Sequence, residues 1–158
     1  LWFDEPCGLL NLAAVKKLAR ENVTPLGFGR NVHGAAAFQD LLREDAADVI
    51  RPDVARWGIS EIRKAAVIAE VNYVAVAPYH NGGPVGTAAA LHAAASMPNF
   101  FIQQIPFPRD EADRRMRAEL AGPAAEAVQD GFAVLPAGPG LGINVDENAL
   151  ARYRERAS

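Results

Sequence analysis

Short apolar runs alternate along the chain with longer segments whose apolar residues recur at helical spacing. The first helix is expected over about Asn11 to Glu21. There Leu12, Val15, Leu18 and Ala19 form one stripe, with Lys16, Lys17 and Arg20 outside it. Pro25 precedes a short strand, Leu26 to Gly29. A second helix, about Gly34 to Glu44, buries Phe38, Leu41 and Leu42. Asp48 to Arg51 is the next strand and Pro52 ends it. Ser60 is placed to cap a third helix, with Ile59, Ile62, Ala66, Ala69 and Tyr73 at helical spacing. Val74 to Ala77 is a continuous apolar run, the pattern of a strand buried on both faces. The turn Asn81-Gly82-Gly83-Pro84 opens an alanine-rich helix from about Val85 to Ser96, and Phe100 to Gln103 reads as a further strand.

A polar residue closes each of these strands: Asp4, Arg30, Asp53, His80 and Gln104, at intervals of 26, 23, 27 and 24 residues. Each interval holds one helical segment. Strand–helix alternation of this kind implies α/β architecture, with parallel strands joined by right-handed crossovers. In α/β barrels the carboxyl ends of the strands build the active site, so these five side chains read as part of a catalytic rim. The pattern changes after Pro108. A polar helix, DEADRRMRAEL (110–120), is followed by expected short strands at Gly131–Val134 and Leu141–Val145. Two regions result, 1–108 and 109–158. The GPGLG at 138–142 is expected to be a plain turn, because it lacks the Gly-Lys-Ser/Thr ending of a phosphate loop.

Composition narrows the reading. The chain has 158 residues, the size of one ordinary domain, half of them apolar, with a net charge of −3. Its basic run, RRMR at 114–117, is interleaved with Glu111, Asp113 and Glu119 and reads as a solvated helix face, so a nucleic-acid partner is not expected. Cys7 is the only cysteine, so an intrachain disulfide is excluded and a reducing, cytoplasmic compartment is expected. The apolar stretch around Ala88 to Met97 is too short to span a bilayer, and no membrane role is expected. Five strands leave bare edges. The chain, which starts within a strand, therefore reads as a fragment or the second half of a longer protein, completed by upstream sequence or another copy.

Four segments in order resemble the carboxyl-terminal half of an enolase-superfamily enzyme of the mandelate racemase branch. They are WFDEP (2–6), GRN (29–31), RPD (51–53) followed by GISEIRKAA (58–66), and APYHNGGPVGTAAALH (77–92). MPNFFIQQ (97–104) and LPAGPGLGI (135–143) fit as well. Within the branch, APYHNGGP and PNFFIQQ are most similar to acid-sugar dehydratases of the galactonate type. The resemblance implies strands four to eight of a modified (β/α)₈ barrel in 1–108. Residues 109–158 would supply the final helix and a carboxyl-terminal piece of the capping domain. It implies a carbon–oxygen lyase that removes a proton next to a carboxylate, stabilises the enediolate on Mg²⁺ and eliminates water from a sugar acid. A racemase, epimerase or cycloisomerase on the same scaffold, or a catalytically impaired relative, is the alternative. A homo-oligomer is implied too.

The same resemblance implies roles. Asp4 matches a metal ligand, and its neighbour Glu5 is expected on the other face in a structural role. Asp53 and His80 match a strand-end pair in which a carboxylate fixes the imidazole for general acid–base work, with His80 protonating the departing hydroxyl. The loop after Asp53 is one residue shorter than usual, which leaves Tyr79 as the alternative. Arg30 departs from the pattern, standing where a third carboxylate ligand belongs. A guanidinium cannot ligate a metal. Arg30 either swings out beside a weak metal site, holds the substrate carboxylate bidentately, or marks a dead site. Gln104, or Gln103, is placed to bond an enediolate oxygen. His33 is a further candidate for reaching substrate, and Trp57 for lining the pocket. His92 reads as structural.

Overall fold

The computed structural model describes residues 1–9, 11–32 and 34–156. The elements run β1 (Phe3–Asp4), α1 (Leu12–Glu21), β2 (Leu26–Phe28), α2 (Ala35–Arg43), β3 (Val49–Ile50), α3 (Val54–Glu70), β4 (Ala75–Val76) and α4 (Pro84–Ala95). The four strands form one parallel sheet in the order β1-β2-β3-β4. A single parallel bridge, Val76 to Phe100, adds a fifth strand position. The α/β alternation expected from the sequence is therefore the observed architecture.

Register divides the strand residues between two faces. Asp4 pairs with Gly27, Gly27 with Val49, and Val49 with Ala75. Phe28 pairs with Ile50 and Ile50 with Val76. Leu26, Phe28, Ile50 and Val76 all face the helices. They join one core with Val15, Phe38, Leu41 and Leu42 from α1 and α2, Ile62, Ala66 and Ala69 from α3, and Ala90 and Ala93 from α4. Each large side chain buried here contributes on the order of 1.5–3 kcal/mol. The opposite face carries Trp2, Asp4, Val49, Arg51, Asp53, Ala77 and Tyr79. Gly27 lies on it beneath the Trp2 ring, where a Cβ would overlap the indole.

Helix ends follow local chemistry. Asn11 caps α1 by accepting from Ala14 N–H. Asp53, rather than Ser60, caps α3 by accepting from Ala55 N–H, and a kink at Gly58 (φ 67°) separates its first turn from the rest. Pro84 occupies the first turn of α4, where a missing N–H costs nothing.

Two strand expectations are corrected. The stretch from Phe100 to Gln103 makes one bridge and no ladder. The side-chain amides of Gln103 and Gln104 bond the Pro78 and His80 carbonyls where strand N–H groups would otherwise do so. Leu141–Val145 forms no strand. Gly140 and Gly142 take positive φ there, and Gly142 N–H closes a turn onto the Pro139 carbonyl, as expected for GPGLG. Leu141 is held from α4, its carbonyl accepting from His92 Nε2 at 3.1 Å. Residues beyond Pro108 form α5 (Glu111–Ala121), a 3₁₀ turn (Pro123–Glu126), an antiparallel hairpin of β5 (Val128–Gln129) and β6 (Phe132–Ala133), and α6 (Glu147–Arg156). Arg117 ties this region to the strand ends. It pairs with Asp113 and Glu126 and donates to the Gly82 carbonyl at 3.0 Å. Among the described residues, no helix is long and apolar enough to cross a membrane.

Candidate functional site at the carboxyl ends of the strands

Arg51 organises the inner face. It stands two residues after Val49, so strand alternation turns it inward with Asp4 and Asp53. Its side chain is only 5% exposed and pairs with the Asp4 carboxylate through one terminal nitrogen. The other donates to Gln104 Oε1 at 2.5 Å. The guanidinium lies 5.2 Å from the Trp2 ring centroid and 5.4 Å from that of Tyr79. Cation–π attraction at such distances gains strength when water is excluded. Trp2 in turn donates from its indole N–H to Asp4 at 3.2 Å and packs on Phe101 with centroids 6.1 Å apart. A cavity of about 180 Å³ opens beside these groups, lined by Trp2, Arg51, Ala77, Ile102, Gln103 and Gln104.

Arg30 closes the other side. Its Nε is 3.5 Å from Asp4 Oδ2, and its guanidinium lies 5.6 Å from the Tyr79 centroid. Arg30 therefore does not swing out. Its position is set by Glu5, which sits at φ 46° and accepts from the backbone N–H groups of Gly29 and Arg30 and from the Asn31 amide. Glu5 is the structural member of the acidic pair, tying the end of β1 to the end of β2. The Nε atoms of Arg30 and Arg51 are both buried and without a hydrogen-bond acceptor.

The expected hydrogen bond between Asp53 and His80 is not made, and register gives the reason. The offset from β3 to β4 is 26, as in Val49 to Ala75, so Asp53 bridges Tyr79. His80 falls one residue further on and turns to the opposite face. Its imidazole is 1% exposed and packs against Gly82 and Gly86 at the start of α4, where a Cβ on either would meet the ring. Nε2 donates to the Gly83 carbonyl at 3.0 Å, leaving Nδ1 buried and unpaired. Asp53 spends one oxygen on the α3 cap, and the other lies 3.6 Å from Arg56 Nε. Of the six residues singled out by sequence, Asp4, Arg30, Tyr79 and Gln104 converge around Arg51. Asp53 is adjacent but engaged, and His80 faces away. Trp57 lies in the helix-side core, donating to the Val32 carbonyl at 3.0 Å, and His33 is outside the described residues.

Arg51 itself escaped the sequence reading, which treated RPD as a setting for Asp53. The signal was available: a residue two before a rim acid on one strand shares its face.

A Mg²⁺ ion needs several hard oxygens in one small space. Among the described residues no three acids, histidines or cysteines gather in such a group. Among the described residues Asp4 is the inward carboxylate not committed to a helix cap, and two guanidinium groups flank it. The donor set that the described residues offer does not, by itself, fit a divalent cation.

Residues 1–149 match the family model described as enolase C-terminal domain-like. The chain is 29% identical over 158 residues to a D-xylonate dehydratase of Haloferax volcanii, covering 96% of this chain and 36% of that protein. It is 33% identical to a D-galactarolactone cycloisomerase of Agrobacterium fabrum, covering 97% of this chain and 42% of that one. A mandelate racemase/muconate lactonizing enzyme structure from Sulfitobacter sp. superposes with a TM-score of 0.84 at 35% identity, over 97% of this chain and 37% of its own. The chain thus spans less than half the length of these relatives.

Proposed function

Because this chain belongs to the enolase C-terminal domain-like family, we propose that it supplies one half of the barrel of a carbon–oxygen lyase that dehydrates a sugar acid. Residues 1–108 are then the second half of a modified (β/α)₈ barrel, and 109–158 contribute to the domain that caps it. The protein works in the cytoplasm as a homo-oligomer. The observation that carries this reading is the convergence of Asp4, Arg30, Arg51, Tyr79 and Gln104 on one face, at the carboxyl ends of parallel strands. A dehydratase named for a sugar acid among the similar proteins supports the substrate class.

A base from the part of the barrel that this chain does not supply takes the proton next to the carboxylate, and the neighbouring hydroxyl, protonated in turn, leaves as water. The enol left behind becomes a keto acid. This chain contributes a cationic wall that holds the substrate carboxylate, with Arg30 donating through its guanidinium fork. Gln104 offers an amide beside it to a developing oxyanion. The acid that protonates the leaving hydroxyl is the Tyr79 phenol, which shares a rung with Asp53 on the inner face, rather than His80. The intact protein, screened against a library of aldonates and aldarates for keto-acid formation, tests the reading. Turnover that is lost in Tyr79→Phe and kept in His80→Asn supports both the activity and the assignment. Formation of a lactone or an epimer without loss of water would move the protein to the cycloisomerase or racemase class, for which the Agrobacterium relative is the precedent.

A further inference from the structure

Drawing a proton from the carbon next to a carboxylate puts a second negative charge on the substrate. Some fixed positive charge must meet it in a water-poor site. The inner face already holds that charge. Arg51 is buried, clamped between the Trp2 and Tyr79 rings and fixed at its two terminal nitrogens by Asp4 and Gln104. Arg30 approaches Asp4 from the other side, at 3.5 Å. Neither buried Nε–H makes a hydrogen bond: that of Arg51 has no partner, and that of Arg30 has only the longer ion-pair contacts. An unsatisfied buried donor on a charged group is costly, and a ligand oxygen would relieve it. Asp4 is shared between the two cations; Glu5, which already accepts three N–H bonds at the end of β2, reaches Arg30 Nε only at 4.0 Å.

Resting on the proposed lyase reading, we propose that the Arg51 guanidinium, with Arg30, is a resident cation that binds the substrate carboxylate in place of a divalent metal ion. Asp4 is then a counter-ion that keeps both arginines in place before the ligand carboxylate arrives and gives way to it. Geometry favours this use. A guanidinium presents a planar pair of donors to a carboxylate, and Arg51 reaches the cavity bounded by Trp2, Ala77 and Gln104.

The two roles for Asp4 predict opposite signs. As a metal ligand, Asp4→Asn weakens binding of both Mg²⁺ and the organic acid. As a competing counter-ion, Asp4→Asn frees both guanidinium groups and tightens the organic acid several-fold. The experiment is calorimetric titration of the intact protein, stripped with chelator, with Mg²⁺ alone and then with D-xylonate, D-galactonate and glycolate. Wild type is expected to bind at least one of these acids with chelator present and to show no Mg²⁺ heat at millimolar concentration. Arg51→Met should weaken the acid by on the order of thirtyfold or more. Arg51→Lys keeps the charge without the fork and should fall between. Circular dichroism of each variant separates loss of binding from loss of fold, and Asp4→Asn decides the case if Arg51→Met does not fold. Sub-millimolar Mg²⁺ binding by wild type, weaker acid binding in Asp4→Asn, or no binding of any of the three acids without metal overturns the proposal. Metal-independent binding without turnover of any sugar acid would leave this inference standing and overturn the lyase. Turnover that requires Mg²⁺ would do the reverse.

Discussion

The two faces of one short parallel sheet are built from different chemistry. On the helix side, Leu26, Phe28, Ile50 and Val76 meet alanine, leucine and isoleucine from four helices in one continuous apolar core. One residue away along the same strands, the inner side carries Asp4, Arg51, Asp53 and Tyr79, with the buried Arg51 Nε left without a hydrogen-bond acceptor. Strand alternation alone separates them. The lesson is a division of labour: the outer side chains hold the fold, and the inner ones hold charge that the fold does not need.

The largest effect should come from the outer face. Phe28→Ala, fully buried among these helices, is expected to cost about 3–5 kcal/mol in chemical denaturation. Tyr79→Phe, on the inner face, should stay within about 1 kcal/mol while abolishing turnover. Equal stability losses in the two variants would break the division. His80 tests it next, since sequence assigned it to the mouth and register turns it to the helix side. His80→Asn should lower stability by roughly 1–3 kcal/mol, because the Gly83 carbonyl and the surrounding pocket lose their partner. Catalysis by the folded fraction should persist. A full-strength fold with a collapsed rate would return His80 to the acid role. Glu5→Gln should cost about 1 kcal/mol, through weakened bonds to the Gly29 and Arg30 N–H groups, and should loosen Arg30.

The smallest effect lies in the tail. The Arg109 backbone N–H, and then the Arg117 guanidinium, hold the Asp113 carboxyl below its ordinary range. A lowered acid stabilises the fold fully above its unfolded value, and that stability is lost as pH falls through the lowered folded value. Melting measured across the acid range should show this slope in wild type and a shallower one in Asp113→Asn.

Much of this was legible in the chain. Helical periodicity and continuous apolar runs located β1 to β4, α1, α2 and α4 to within a few residues, because burial on the helix side demands those patterns; α3 starts six residues earlier than the expected cap at Ser60. The resemblance of WFDEP and APYHNGGP gave the family. What misled was register. Counting from polar residue to polar residue gave 27 between Asp53 and His80, whereas the backbone pairs at 26. A single residue reverses a side chain in a strand, so an interval cannot replace a register. The shortened loop after Asp53 was the warning, and it named Tyr79. Arg51 was overlooked because an arginine inside a strand reads as an exposed edge charge until Trp2, Tyr79 and Asp4 are seen around it. The last strand was overread because Phe100 to Ile102 has strand composition, yet it has only β4 beside it among the described residues.

The most direct measurement of the central claim is a crystal structure of the intact protein grown with Mg²⁺ and a bound sugar acid. The account predicts ligand carboxylate oxygens at about 3 Å from guanidinium nitrogens of Arg51 and Arg30. Tyr79 should face the neighbouring hydroxyl, with no metal on Asp4. A Mg²⁺ ion coordinated by Asp4 and the ligand, with Arg51 turned out of the cavity, would contradict it.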